Sequence, residues 1–437
     1  MSEIIETICG KLRGQKRDGY VLYRGVPYAE PPVGALRWRP PVKKAPWEGV
    51  LEADDWKNIS VQPPNISEMY RREFYSDPAY ERPMSEDCLY LHIWTPDRPG
   101  KYPVAVWIHG GAFMAGFSSE IEFDGAEYAR RGVILVSVEY RCNLFGFLCH
   151  PWLSEESEAG RSGNYGILDQ LCAIEWVKEN ISAFGGDPDN ITLFGQSAGA
   201  MSVQTIVSSP KADGLVAKAI LQSGGTYLEG LHRDLSMKEA EAYGVMLSDI
   251  LGVHSLNEMR AVPAEKLLAV LPELSMKVSG ETMQLFLIPV IDGDLMTSGY
   301  YQAMDAGQIL DIPFMLGSVK NDILCQPNAS AENSPLHRGA VAFSMKLEEL
   351  GRNPAYVYYF SRNLPGDVLG AWHSSELWYM FGTLNRSWRP FEEHDRQLSR
   401  GMLDYWTNFM KSGNPNLPDS CTWQTCSADN PFVMEFK

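Results

Sequence analysis

The sequence predicts an α/β architecture: a central, mostly parallel, twisted sheet with helices on both faces, preceded by a small antiparallel part at the N-terminus. Three observations carry this expectation. From residue 90 onward, short apolar runs alternate with segments of helical periodicity. The strand-like runs are apolar throughout rather than every second residue, as strands covered on both faces must be. At 437 residues the chain is long enough to bury a large core.

In chain order, 8–28 reads as short strands punctuated by glycine, an antiparallel edge. Residues 60–87 are rich in proline and aromatic residues but lack periodicity, which marks a functional loop or lid rather than a linker. Strands are expected at 90–94, 103–110 and 133–141. In 167–185, Ile167, Leu171, Ile174, Val177 and Ile181 share one helical face. A strand at 191–194, a helix from Ala198 and a strand at 218–223 follow. Residues 232–288 are mostly helical in pattern, strand signals return at 313–318 and 355–362, and 398–413 is an amphipathic helix ended by Gly413. With no internal repeat and no low-complexity linker, 1–437 reads as a single domain carrying helical insertions at about 228–288 and 323–372, which would form a cap or gorge wall.

Composition narrows the function classes. A formal net charge of −17 argues against a nucleic-acid surface, which needs clustered Lys and Arg. No run of about 18 apolar residues is present, so no membrane anchoring is expected. The N-terminus has no basic stretch followed by an apolar core, and the eight cysteines are scattered without C-x-x-C spacing. Reduced, buried thiols in a cytoplasmic protein are the expectation. The eight histidines include no H-x-x-x-H pair and no cluster with carboxylates, so no metal site is expected.

The stretch 190-NITLFGQSAGAMS-202 carries the chemistry. A G-x-S-x-G pentapeptide arises by chance in glycine-rich chains, so the motif means little alone. Here it follows a short apolar run and opens a helical segment, the setting in which a serine is held exposed on a tight strand-to-helix turn. Gly195 and Gly199 suit a turn in which side chains would collide. Upstream, 109-HGGAF-113 ends another apolar strand, and the N–H groups of Gly110, Gly111 and Ala198 are candidate donors to an oxyanion. Ser197 also needs a base and an orienting acid. His337, His373 and His394 lie far enough downstream, and His373, in the glycine- and aromatic-flanked 370-GAWHSSELWYMFG-382, best resembles a pocket loop. Asp322, shortly after the 313–318 strand, sits where a strand-end loop would present an acid; Asp311 and Glu332 are the alternatives.

These motifs stand in an order that resembles the type-B carboxylesterase family of the α/β-hydrolase fold, with the bacterial p-nitrobenzyl esterases most similar. The resemblance rests on 24-RGVPYAEPPVGALRW-38, 86-EDCLYLHIW-94, 107-WIHGGAF-113, 164-NYGILDQLCAIEWVKENISAFGGDPDNITLFGQSAGA-200, 289-PVIDG-293, 317-GSVKND-322, 373-HSSELWYMFG-382 and 412-SGNPN-416. It implies Ser197 as nucleophile, His373 as general base and Asp322 as acid, an oxyanion hole from Gly110, Gly111 and Ala198, and no cofactor. Candidate substrate-pocket residues are Phe113, Trp372, Tyr70 and Phe74.

The chain departs from the family pattern in several places. Gln196 stands where the family has Glu, Asp322 where it most often has Glu, and Gly225 where a supporting serine is usual. Cys88 lacks its family disulfide partner, the equivalent position being near Ser60, and the second disulfide region has no Cys. The 322–373 segment is shorter than in the family, which implies a shallower, more open pocket. The expected function is a serine carboxylesterase acting on small-molecule esters of short-to-medium acyl chains. The alternatives are a lipase or thioesterase on long acyl chains, and a non-catalytic interaction protein on the same scaffold.

Overall fold

The computed structural model describes residues 4–64, 67–280, 284–325, 330–417 and 421–437. Its strands are β1 (Ile4–Thr7), β2 (Gly10–Arg13), β3 (Gln15–Arg17), β4 (Tyr20–Pro27), β5 (Val50–Glu52) and β6 (Tyr90–Pro96). They continue with β7 (Tyr102–Ile108), β8 (Ile134–Val138), β9 (Gly186–Gln196), β10 (Lys218–Gln222), β11 (Phe314–Val319), β12 (Tyr356–Phe360) and β13 (Met434–Phe436).

Ten strands form one sheet in the order β13-β12-β11-β10-β9-β7-β8-β6-β4-β3. From β8 to β13 every neighbouring pair is parallel, while β3, β4 and β6 add an antiparallel edge. The N-terminal strands β1 and β2 pair antiparallel, and β5 adds in parallel to make a separate three-stranded sheet.

The parallel strands are buried on both faces, which is why they are apolar at every position. Along β7, Val104, Val106 and Ile108 point into one core and Ala105 and Trp107 into the other. The first core is covered by the helices Tyr165–Asn180 and Ala198–Val207. The second is covered by Glu393–Ser412, whose Met402, Leu403, Trp406, Phe409 and Met410 line its buried face. That last helix starts at a capping box between Glu392 and Asp395 and stops at Gly413, which takes the left-handed conformation (φ 78°).

Helices Met237–Leu251, Leu256–Arg260, Ala264–Ser279 and Pro335–Glu349 occupy the two expected insertions; residues 281–283 and 326–329 of those stretches lie outside the described residues. The irregular 60–87 stretch contains a helix the sequence did not announce, Glu68–Phe74, capped by the Ser67 side chain; 65–66 lie outside the described residues. No helix among the described residues is long and apolar enough to cross a membrane. All eight cysteines are unpaired.

One buried ion pair ties the first helical layer to the sheet. Arg141, just past β8, donates from Nε and Nη2 to the two carboxylate oxygens of Asp169 at 2.8 and 2.7 Å, and its backbone N–H adds a third bond. Both side chains are buried. Asp169→Ala leaves the guanidinium buried without a counter-charge, so a loss of about 3–5 kcal/mol is expected in urea unfolding. A loss below about 1 kcal/mol would mean that water or another carboxylate replaces the partner.

Candidate active site

β9 ends at Gln196, and the next residue, Ser197, adopts φ 56° and ψ −126° before the helix Ala198–Val207 begins. Few residues tolerate that conformation, and it persists because the surroundings leave no alternative. A Cβ on Gly195 would lie 2.5 Å from the Gly199 backbone, and one on Gly199 would lie 2.1 Å from the Ile108 carbonyl oxygen. The Ser197 N–H donates to the carbonyl of Gln222 at the end of β10 (2.8 Å). Strand, turn and helix are thus packed against the ends of β7 and β10, and Ser197 is held at the carboxyl edge of the parallel sheet.

The two partners arrive from neighbouring strands. Asp322 follows β11, and His373 lies in the loop after β12. His373 Nδ1 meets Asp322 Oδ1 at 2.5 Å. The other carboxylate oxygen accepts from the Ser223 hydroxyl (2.7 Å) and the Val319 N–H (3.1 Å), while Oδ1 also accepts from the Ile323 N–H (2.9 Å). Four donors converge on one carboxylate, which suits its ionised form. Both side chains are buried, and so is Ser197, at 8% exposure. Of the other candidates, His337 is buried beside Tyr359, His394 reaches the Lys437 carbonyl, and Asp311 and Glu332 are exposed.

Three contacts here were not legible in the sequence. The Gln196 amide nitrogen lies 3.2 Å from His373 Nε2. Ser223 supplies Asp322 with a hydroxyl, and at Gly225, where the family pattern suggested one, a Cβ would fall 1.9 Å from the Leu221 side chain. Tyr70 donates to the His373 carbonyl oxygen (3.0 Å) from the helix Glu68–Phe74. The only available signal for Ser223 was its place one residue beyond β10, at the sheet edge shared with Ser197 and Asp322.

A second carboxyl lies close by. Glu376, three residues after His373, is fully buried, with the Gln222 side chain among the polar groups acting on its carboxyl. Burial, followed by the charge of Asp322, pushes its pKa up to about 7.

The 109–116 turn is tightly built. His109 is buried, stacks on Tyr140 at 4.3 Å, and is held neutral by burial, which lowers its pKa to about 4. Its Nδ1–H donates to the Gly110 carbonyl (2.9 Å). The Gly111 carbonyl accepts from Met114 and Ala115 N–H groups. Gly111, Ala112 and Phe113 all have positive φ, and a Cβ on Gly111 would lie 1.9 Å from the Ala115 oxygen, so glycine is obligatory there.

Of the expected pocket residues, Tyr70, Phe74 and Trp372 form one aromatic group, with ring centroids 5.7–5.9 Å apart. Phe113 is not with them: it is fully buried in the core on the other side of the sheet, edge-to-face against Phe147.

A doubly covered parallel sheet with a serine on a strained strand-to-helix turn at its carboxyl edge defines an α/β-hydrolase. The chain belongs to the carboxylesterase family, whose model matches residues 1–339 and 332–437. It is 33% identical to the para-nitrobenzyl esterase of Bacillus subtilis (strain 168), over 95% of this chain and 91% of that one. It is 36% identical to the fumonisin B1 esterase of Sphingopyxis macrogoltabida, over 71% of this chain and 54% of that one. Two solved structures, a PNB esterase and a thermophilic PNB esterase, superpose with TM-scores of 0.87 at 30% identity, covering 100% of this chain and 96% of theirs. The chain is a carboxylic ester hydrolase.

Proposed function

We propose that Ser197, His373 and Asp322 form the catalytic triad of this esterase and that it acts on small-molecule esters with short-to-medium acyl chains. One observation carries the reading: the His373–Asp322 bond of 2.5 Å, anchored by Ser223, Val319 and Ile323, beside the turn that presents Ser197. His373 takes the proton of Ser197 as its oxygen attacks the ester carbonyl. The imidazolium then protonates the leaving alcohol, and water repeats the cycle on the acyl-enzyme. Asp322 keeps the proton of the neutral ring on Nδ1.

For the oxyanion we propose the N–H groups of Gly111, Ala112 and Ala198. A trans peptide points its N–H away from its C=O. The carbonyls of Gly110 and Gly111 face His109 and residues 114–115, which turns the N–H groups of Gly111 and Ala112 the opposite way. The expected donor Gly110 fits less well. The His109 carbonyl is bonded to Tyr140 and lies against Gly199, so the Gly110 N–H is directed away from the start of the nucleophile helix. Tyr70 and Trp372 are the proposed pocket wall, backed by Phe74.

The burial of Ser197 and the aromatic group packed against His373 support compact acyl groups, and the likeness to para-nitrobenzyl esterases supports aromatic alcohols. In a series of p-nitrophenyl esters, kcat/KM is expected to fall at least about tenfold from butyrate to laurate. A rise with chain length would favour a lipase or thioesterase instead.

A further inference from the structure

His373 Nε2 and the Gln196 side-chain nitrogen face each other at 3.2 Å. An amide nitrogen only donates, so the ring nitrogen is the acceptor. The other ring nitrogen meets the Asp322 carboxylate, which only accepts, so Nδ1 carries the proton. Two independent partners therefore specify the same tautomer of a neutral ring. They also place the lone pair that must receive the serine proton in a bond with Gln196.

The amide has little freedom to be elsewhere. Gln196 is 3% exposed at the end of β9, and a Cβ on the neighbouring Gly110 would lie 2.9 Å from its carbonyl oxygen and 3.1 Å from its Oε1. The side chain is confined between the 109–116 turn and the imidazole. A carboxylate, which the family pattern carries here, could not make this bond, because it has no hydrogen to give a neutral ring. It would favour the imidazolium instead.

We propose that Gln196 is a positioning residue that caps the resting base: its amide N–H favours the neutral, Nδ1-protonated His373 ring over the imidazolium and so extends the active range of the enzyme toward acid. The inference rests on the triad reading above. Among the described residues, the titratable groups next to His373 are Asp322 from the loop after β11, Glu376 in its own loop, and Tyr70, whose hydroxyl bonds the His373 backbone carbonyl. All three are common to every variant below, so differences between variants report position 196.

The test is an NMR titration of the His373 ring in the full chain, beside the acid limb of kcat/KM for p-nitrophenyl acetate. Gln196→Met, of similar size but with no donor, is expected to raise the His373 pKa by about half to one pH unit. Gln196→Glu, which keeps the shape, is expected to raise it by more than about one unit. The acid limb moves to higher pH by the same steps. An unchanged or lowered pKa in both variants overturns the proposal. So does a ¹⁵N shift for Nε2 of the unsubstituted protein typical of an acceptor bonded only to water, a measurement that needs no variant to fold. The ring titration does not depend on turnover, so failure of the triad reading, seen as retained activity in a Ser197 variant, is separable from failure of this one.

Discussion

Ser197→Ala is expected to leave the fold intact and to lower kcat for p-nitrophenyl acetate by about 10⁴- to 10⁶-fold. The conformation at 197 is imposed by backbone: the N–H bond to Gln222, the Gly199 contact with Ile108, and Gly224, where a Cβ would lie 2.2 Å from the Ser197 carbonyl oxygen. Alanine keeps the Cβ and inherits the same constraints. The serine hydroxyl makes no capping bond to the helix it precedes, so its removal costs little stability. What disappears is the hydroxyl proposed to form the acyl-enzyme. Unchanged far-ultraviolet circular dichroism and Tm with near-zero turnover is the expected pair of results. Turnover close to that of the parent would remove Ser197 from the mechanism.

Asp322→Asn is expected to lower kcat by about 10³- to 10⁴-fold although the substitution is nearly isosteric. Every group around this carboxylate is turned to donate. An asparagine amide placed at Oδ2 would face the Val319 N–H, a backbone donor that cannot turn away. Placed at Oδ1, it would face the Ile323 N–H and the His373 ring. There it favours the tautomer with the proton on Nε2, which cannot accept from serine and sets two donors, ring and Gln196 amide, against each other. A stability loss of about 1–3 kcal/mol should accompany the kinetic defect, because one donor is left buried and unpaired. Activity within tenfold of the parent would place the acid elsewhere, with Asp311 or Glu332 the next to examine, though both are exposed.

The central strands were legible because a parallel sheet covered on both faces demands contiguous apolar residues, and 133–141 or 313–318 hardly read otherwise. Their ends were less so. β9 begins at Gly186, five residues before its apolar run, through polar residues held by contacts with distant parts of the chain, among them Lys101 with Asp187 and Asn190 with the Lys411 carbonyl. β13 was invisible as three residues whose strand character comes from pairing with β12. The helix Glu68–Phe74 was missed for a similar reason: its aromatic residues are directed toward Trp372 and Trp378, contacts made some 300 positions away in sequence.

At the site, the sequence alone determined the nucleophile candidate and its turn, since a strand, two glycines and a helix start are local requirements written in consecutive residues. It also ordered Asp322 and His373 behind Ser197, through a resemblance and not through chemistry. Only the tertiary structure decided how these groups address one another. It set Ser223 beneath Asp322, aimed the Gly110 and Gly111 carbonyls at His109 and residues 114–115, sent Phe113 to the opposite core, and brought the Gln196 amide within 3.2 Å of the His373 ring. Hydrogen-bond direction depends on ångström-scale placement of atoms from different strands, and no spacing along one chain encodes it.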